Sequence, residues 1–214
     1  MPRAQFAHVN TWVFDLDHTL YPPATRLFDQ IEVRMTRWVM QALDVDRATA
    51  DHLRHAYWKQ YGTTLAGLMR EHDVDPGPYL TDVHDIDFSV LTPAPDLADR
   101  IASLPGRRII YTNGTAPYAE KVIKARKLDG LFDAIYGVEH ADFFPKPEQR
   151  AFETVFARDK LDPENAAMFE DDPRNLAVPH KLGMQTIHVA PTAHPAPHIQ
   201  YHTDDLTEFL GTVV

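Results

Sequence analysis

The sequence contains no cysteine among its 214 residues. That absence excludes a disulfide scaffold, a thiolate metal site and a cysteine nucleophile, and it fits a reducing compartment, so a cytoplasmic setting is expected. Glycine is scarce at 9 residues against 17 prolines, which predicts stiff rather than flexible connections. No run of 18 apolar residues occurs, and the opening stretch MPRAQFAHVN has no apolar core, so neither a membrane span nor a secretory signal is expected. Positive charge is also in deficit. Lys and Arg number 21 against 31 Asp and Glu, a formal net charge of −10. Such a chain is a poor partner for a nucleic-acid polymer, although a local site can still be positive enough for a small phosphate.

What is present is ordinary globular material, 44% hydrophobic and 24% charged, which excludes disordered and fibrous architectures. The length suits one domain, or one domain with a sizeable insert. Residues 9–17 (VNTWVFDLD) form a short apolar run ending in acids, which predicts a buried strand. The period then changes. Phe28, Ile31, Met35, Trp38, Val39 and Ala42 fall on one helical face. A second helix is expected over 47–61 with Asp46 as its N-cap, and a third over 64–71. Residues 73–95 carry Pro76, Gly77, Pro78, Pro93 and Pro95 and are expected to be mostly loop.

Beyond Pro95 the pattern alternates. Helices are expected over 96–104, 116–127, 148–158, 173–182 and 204–210, and strands over 107–113, 134–137, 166–170 and 185–190. Alternating strands and helices predict an α/β fold, a doubly wound, Rossmann-like parallel sheet covered on both faces. Residues 22–94 stand outside that alternation. They are expected to be a helical cap inserted after the first strand, with 1–21 and 95–214 as the core.

Ligands of open α/β sheets bind at the carboxyl ends of the strands, so the polar residues there form one group. The first strand ends in Asp15-Leu16-Asp17-His18-Thr19 and the second in Thr112-Asn113-Gly114. Lys146 lies between Pro145 and Pro147 in the loop after the third, and the fourth ends in Glu170-Asp171-Asp172. Clustered carboxylates repel unless a cation sits among them, and oxygen-only ligands select Mg²⁺. Asp15 and Asp171 are candidate ligands. A carboxylate can also attack phosphorus, with Lys146 neutralising the nucleophile and the moving phosphoryl group. Thr112 and nearby backbone N–H groups would hold phosphoryl oxygens at the following helix N-terminus. Strand alternation would turn Asp15 and Asp17 the same way, one to attack and the other to move the proton.

Asp15-Leu16-Asp17-His18-Thr19-Leu20-Tyr21, Thr112-Asn113-Gly114, Lys146-Pro147 and Glu170-Asp171, in that order on strand ends, resemble the four motifs of the haloacid dehalogenase superfamily of phosphohydrolases. Residues 22–94 stand where that family inserts its helical C1-type cap. More narrowly, DLDHTLYP, the stretch 61–68 (YGTTLAGL) and FEDDPRN resemble the pyrimidine 5′-nucleotidase-like branch. The resemblance implies Asp15 as nucleophile, Asp17 as acid/base, and Lys146 as both a catalytic and a phosphate-binding group. It implies Thr112, Asn113 and Gly114 as substrate-binding positions and Asp15, Asp17 (through its backbone carbonyl) and Asp171 as Mg²⁺ ligands. The substrate would be a small phosphorylated metabolite, with pyrimidine nucleoside 5′-monophosphates ahead of other esters. His18 departs from the branch, where Asn is common, and Glu170 departs where Gly or Asp is common.

Competing readings use the same residues. A sugar-phosphate phosphatase or phosphoglucomutase-like enzyme would share the scaffold. A carbon–halogen hydrolase would not need Asp17 as an acid. A phosphoacceptor signalling module would be shorter and would lack the insert. Among the twelve histidines, His194, His198 and His202 are four apart, but Pro195 and Pro197 forbid the helix that would align them. Asp172 followed by Pro173 reads as a helix N-cap. Trp38, Tyr57 and Trp58 are expected to pack the inserted helices. Tyr61, Thr63 and His84 are candidates to face the substrate, and Lys121, Lys124, Arg126 and Lys127 to form a solvated helix face. Oligomeric state leaves no mark in the sequence.

Overall fold

A computed structural model describes residues 2–213, with the side chains of residues 2 and 3 outside the description. Six strands form one sheet, β1 (Thr11–Phe14), β2 (Arg107–Tyr111), β3 (Ala134–Tyr136), β4 (Ala166–Glu170), β5 (Gln185–Val189) and β6 (Tyr201–Thr203). They are all parallel and run in the order β3-β2-β1-β4-β5-β6. The chain therefore starts in the middle of the sheet and reverses its direction of travel there, and the β1 end lies between the ends of β2 and β4. In such sheets the crevice at this switch point is where ligands bind.

Alternation along β1 decides what covers each face. Trp12 and Phe14 point to one side, where Phe14 stacks on Phe169 at 4.8 Å. Helices α1 (Pro2–Gln5), α6 (Pro95–Ser103), α7 (Ala116–Ala125) and α10 (Leu206–Val213) lie there, supplying Leu97, Ile101, Val122 and Leu210 to the core. Val13, Ile109, Tyr111 and Met168 point to the other side, against Phe152, Val155 and Phe156 of α8 (Gln149–Asp159). A short α9 (Ala177–Lys181) follows a 3-10 turn at Pro173–Leu176, where one continuous helix over 173–182 was expected. Asp172 does cap that turn, accepting from the Arg174 N–H at 3.0 Å.

Between β1 and α6 lie α2 (Leu27–Leu43), α3 (Arg47–Tyr61), α4 (Thr64–His72) and α5 (Pro76–Val83). Asp46 caps α3, as expected, by accepting from Thr49 N–H at 2.8 Å. Helix α5 replaces an expected loop. Pro76 occupies its first turn, where a missing N–H costs no helical bond, and Asp75 caps it by accepting from Gly77 N–H at 2.9 Å. The prolines thus start a helix rather than prevent one. Strand β6 was also unforeseen, because three residues between proline-rich and acidic stretches carry no readable period.

The helical block joins the sheet through two chain crossings, and Arg126 ties them together. Its Nε donates to the Leu20 carbonyl at 3.2 Å and its Nη1 to the Thr92 carbonyl at 2.6 Å. Arg126 therefore links the two connections and does not belong to a solvated face, while Lys121, Lys124 and Lys127 are exposed. Within the block, α3 and α4 approach closely at Gly67, where an added Cβ would stand 2.2 Å from Tyr57 Cγ. Overpacking of this kind costs about 1–3 kcal/mol. Gly67→Ala is expected to lower the thermal midpoint measured by calorimetry, with secondary structure retained.

Candidate active site

The centre of the site is an ammonium enclosed by acids. Lys146 is 1% exposed, and its Nζ donates to Asp15 Oδ1 at 2.7 Å, Glu170 Oε2 at 2.6 Å and the Tyr111 carbonyl at 3.0 Å. Three strand ends thus converge on one charge. Asn113 aims it, because its side chain accepts from Lys146 N–H at 2.8 Å and donates to the Lys146 carbonyl at 3.1 Å. The Asn113 amide is therefore a clamp on the lysine backbone. Thr112 is buried, and its hydroxyl accepts from Gly114 N–H at 2.9 Å. Gly114 packs against Tyr118, whose Cδ1 would stand 2.8 Å from an added Cβ.

Burial dominates the ionisation of these groups. It pushes the Asp15 carboxyl up to about 7 against the pull of Lys146, with Asp171 and Asp17 adding to the rise. It pushes Glu170 well up too, and the Asp15 charge adds to that. Burial works to lower the Lys146 pKa, but Asp15 and Glu170 outweigh it and hold the ammonium charged. One cation thus serves two carboxylates, with Asp171 close behind. A site with surplus negative charge in a low dielectric is short of positive charge. Asp15, Glu170 and Asp171 each offer a carboxylate oxygen, and those oxygens lie within 4.8 Å of one another. This hard, oxygen-only set fits Mg²⁺ and not a thiolate-preferring metal. Glu170 is the least available of the three, since Oε2 accepts from Lys146 and Oε1 from Asp172 N–H at 3.1 Å.

Asp17 is placed differently from the strand-alternation expectation. Strand β1 ends at Phe14, and residues 17–20 are a turn in which Leu20 N–H donates to the Leu16 carbonyl at 2.9 Å. The Asp17 carboxylate is held by two phenols, Tyr21 at 2.5 Å and Tyr118 at 2.6 Å, both donating to Oδ1. Its side chain is outside the three-carboxylate group, while both Asp15 and Asp17 border the same cavity. Burial raises the Asp17 pKa and the two phenols oppose the rise. The sequence reading did not foresee Tyr21 and Tyr118. Their signal was a tyrosine four residues after Asp17 and another in the first turn after Thr112-Asn113-Gly114.

His18 takes a left-handed conformation, φ 58°, and its Nδ1 stands 3.4 Å from Asp171 Oδ2. Burial works to lower its pKa, but Asp171 and the other two aspartates outweigh that and raise it. Between this rim and the inserted helices lies an open cleft of about 810 Å³. Thr63 and His84 line it, as expected, but Tyr61 does not, since its hydroxyl donates to Glu71. The Thr63 hydroxyl caps α4 by accepting from Ala66 N–H at 3.1 Å. Trp58 is 46% exposed and stacks under the Arg174 guanidinium at 3.8 Å, so it bridges to the sheet rather than packing the inserted helices alone. The buried Tyr57 and the half-buried Trp38 pack those helices as expected. His194 and His198 reach the cavity wall separately, and the His198 ring contacts the Pro173 carbonyl at 2.9 Å.

His84 lies flat on Tyr118, with ring centroids 4.3 Å apart and planes 8° from parallel. Burial and the Lys121 charge lower its pKa to about 4. The unfolded chain, with an ordinary histidine near 6.5, binds the proton first, so this residue destabilises the fold as pH falls from about 6.5 toward 4. The thermal midpoint is expected to drop between pH 7 and pH 4.5, and to drop less in His84→Phe. Calorimetry of both proteins at both pH values checks it.

The haloacid dehalogenase-like hydrolase family model matches residues 9–183. A curated relative, Phosphate metabolism protein 8 of Saccharomyces cerevisiae, is 25% identical over 189 residues, covering 80% of this chain. This chain spans only 58% of that relative's length. Among solved structures, the HAD-hydrolase YfnB of Bacillus subtilis bound to magnesium aligns over 96% of this chain and 98% of its own, with TM-score 0.62 and 18% identity. A 2-haloacid dehalogenase of Pseudomonas syringae pv. tomato aligns over the same shares with TM-score 0.60 and 17% identity. At these identities the structures share the fold with this chain. No helix among the described residues is long and apolar enough to cross a membrane.

Proposed function

We propose that this chain, which belongs to the haloacid dehalogenase-like hydrolases, is a Mg²⁺-dependent phosphomonoester hydrolase acting through an aspartyl-phosphate on Asp15. The observation that carries the reading is the second acid. Displacement of a halide from carbon needs no proton donor, because halide leaves as a stable anion. An alkoxide leaving from phosphorus does need one. Asp17 borders the same cavity as Asp15, is held by Tyr21 and Tyr118, and is biased by burial toward its protonated form.

Lys146 engages Asp15 through Oδ1, which leaves Oδ2 for the attack. As the Oδ2–P bond forms, the bond from phosphorus to the leaving oxygen breaks, and Asp17 delivers its proton to that oxygen. Asp17, now a carboxylate, then takes a proton from a water that attacks phosphorus, which breaks the Oδ2–P bond and frees inorganic phosphate. Lys146 balances the charge on Asp15 throughout. Asp15 and Asp171, with the Asp17 backbone carbonyl, would hold Mg²⁺, which when bound supplies positive charge to the phosphoryl oxygens. Thr112, Asn113 and Gly114 frame the phosphoryl group from the β2 end. The inserted block 22–94 acts as the cap, excluding water and touching the leaving group.

The substrate class is a small phosphorylated metabolite, with pyrimidine nucleoside 5′-monophosphates preferred. The resemblance of the DLDHTLYP and FEDDPRN stretches to the pyrimidine 5′-nucleotidase-like branch supports this, as does a cleft of about 810 Å³, ample for a mononucleotide. The phosphate metabolism named in the yeast relative is in keeping with it.

Asp15→Asn is expected to lower turnover on the order of 10⁴-fold or more while the fold persists, since an amide is a poor nucleophile and Lys146 loses one of its two charged partners. Activity within tenfold of wild type in a phosphate-release assay would end the covalent mechanism. EDTA is expected to abolish activity and Mg²⁺ to restore it, and full turnover in EDTA would refute the metal assignment. Comparing kcat/KM for UMP, AMP and glucose 6-phosphate, we expect UMP to lead. A lead for the sugar phosphate would replace the nucleotidase reading with a sugar-phosphate phosphatase.

A further inference from the structure

Two phenols meet on one oxygen of Asp17. Tyr21 and Tyr118 both donate to Oδ1, at 2.5 Å and 2.6 Å. A carboxyl oxygen has two lone pairs, and these two donors use both. Oδ2 accepts no hydrogen bond among the described residues and is not sealed off, because Asp17 is half-buried and borders the cleft. When Asp17 is protonated, Oδ1 is therefore its carbonyl oxygen and Oδ2 carries the hydrogen. The phenols sort the two oxygens of the acid.

The two phenols are placed by different means. Tyr21 is four residues from Asp17, so the local turn brings it there, whereas Tyr118 is 101 residues away and depends on tertiary contacts. Tyr118 is 1% exposed and lies in the first turn of α7. His84, at the end of α5 in the inserted block, stacks flat on its ring, with centroids 4.3 Å apart and planes 8° from parallel. His84 Nδ1 also meets the Thr115 hydroxyl at 3.3 Å, and that hydroxyl accepts from Tyr118 N–H at 3.3 Å. The imidazole thus engages two residues three apart on one face of α7. Burial and the Lys121 charge lower its pKa to about 4, so near pH 7 it offers Tyr118 a flat neutral ring and not a charge.

We propose that His84 is a positioning residue for the leaving-group acid: its stack holds the Tyr118 hydroxyl on Asp17 Oδ1, which keeps the transferable proton on Oδ2. The inference rests on the phosphomonoesterase reading, in which that proton passes to the leaving oxygen as the bond from that oxygen to phosphorus breaks. His84 exchanges no proton with substrate. Without the stack the phenol is free to turn away. Oδ1 then regains a lone pair, and the proton divides between two oxygens, one of which faces the tyrosines. A residue of the inserted block thereby conditions an acid at the end of the sheet, and proton delivery requires both parts of the chain.

The test compares wild type, His84→Ala, His84→Leu, His84→Phe and Tyr118→Phe on benzyl phosphate and 4-nitrophenyl phosphate. The two esters are alike in size, but the benzyl alkoxide needs a proton to leave and nitrophenolate does not. His84→Ala and His84→Leu are expected to lower the benzyl to nitrophenyl ratio of kcat about tenfold, with KM for both esters little changed. Tyr118→Phe is expected to lower the ratio at least as far. His84→Phe keeps a flat ring and is expected to hold the ratio within about twofold of wild type. Leucine fills the space without a flat ring, so it carries the test if the alanine variant does not fold. An equal loss on both esters in His84→Leu, or no loss, overturns the positioning role and leaves the phosphatase reading standing. A ratio as low in His84→Phe as in His84→Leu overturns the stack as its cause. If wild type turns over neither ester, the phosphatase reading fails by itself, and proton NMR decides the contact. The Tyr118 hydroxyl resonance, assigned by its loss in Tyr118→Phe, is expected to broaden in His84→Leu and to persist in His84→Phe. An unchanged resonance in His84→Leu overturns the proposal.

Discussion

The site depends on burying one ammonium between two carboxylates. Lys146 cannot sit uncompensated at 1% exposure, and neither can Asp15 or Glu170 beside it. Each charge is tolerable only with the others in place, so the ends of β1, β2 and β4 and the loop after β3 must all arrive together. The sheet order makes that meeting geometric. With β1 central between β2 and β4, the Tyr111 carbonyl, Asp15 and Glu170 present three acceptors to one Nζ. Asn113 then fixes the lysine backbone from both sides, so the charge is placed by covalent geometry as well as by attraction.

The helical block is fastened to this centre by few, specific polar contacts. Arg126 holds both crossings, Arg174 stacks on Trp58 and donates to its carbonyl at 3.1 Å, and Arg70 pairs with Glu148 at 2.5 Å. Gly62 lies against the Lys146 carbonyl, where an added Cβ would approach to 2.8 Å at a φ of 89°. The backbone that carries the lysine is thus in contact with the turn between α3 and α4. Of the contacts at the edge of the block, the Arg70–Glu148 pair is exposed and one that solvent can replace, while the stack of His84 on Tyr118 is buried.

The sequence made the side chains that gather at the candidate site more legible than the scaffold that aims them. Asp15, Lys146 and Asp171 stood out because acids and a lysine at predicted strand ends are chemically loud. The α/β alternation after Pro95 was equally plain, since strand and helix periods differ. Helix α5 was obscured because prolines in a first turn look like breakers when no cap is weighed, although Asp75 was in place to cap it. Strand β6 is three residues long, too short to show a period. Tyr21, Tyr118 and the role of Asn113 were hidden for a different reason. They act on groups 4 to 101 residues away, and nothing local in a tyrosine or an asparagine says which carboxylate or which carbonyl it will meet.

The two aspartates of the first motif differ in environment, and that difference supports the division of roles proposed for them. Asp15 faces a cation on one oxygen and two other carboxylates nearby, so it is driven toward ionisation by Lys146 and away from it by its neighbours. Asp17 faces two neutral donors, which stabilise a carboxylate less than a cation does and leave the burial penalty ahead. A positive charge arriving among Asp15, Glu170 and Asp171 would act most on Asp15, whose carboxylate belongs to that group, and less on Asp17, whose side chain lies outside it. The pair would then separate further, one acid ionised for attack and the other still able to hold a proton. Pairs of titratable groups pushed apart in this way are how one site runs nucleophilic and acid chemistry at the same pH. On this reading the surplus of acids at the rim is the feature that makes the two aspartates unequal once the cation binds.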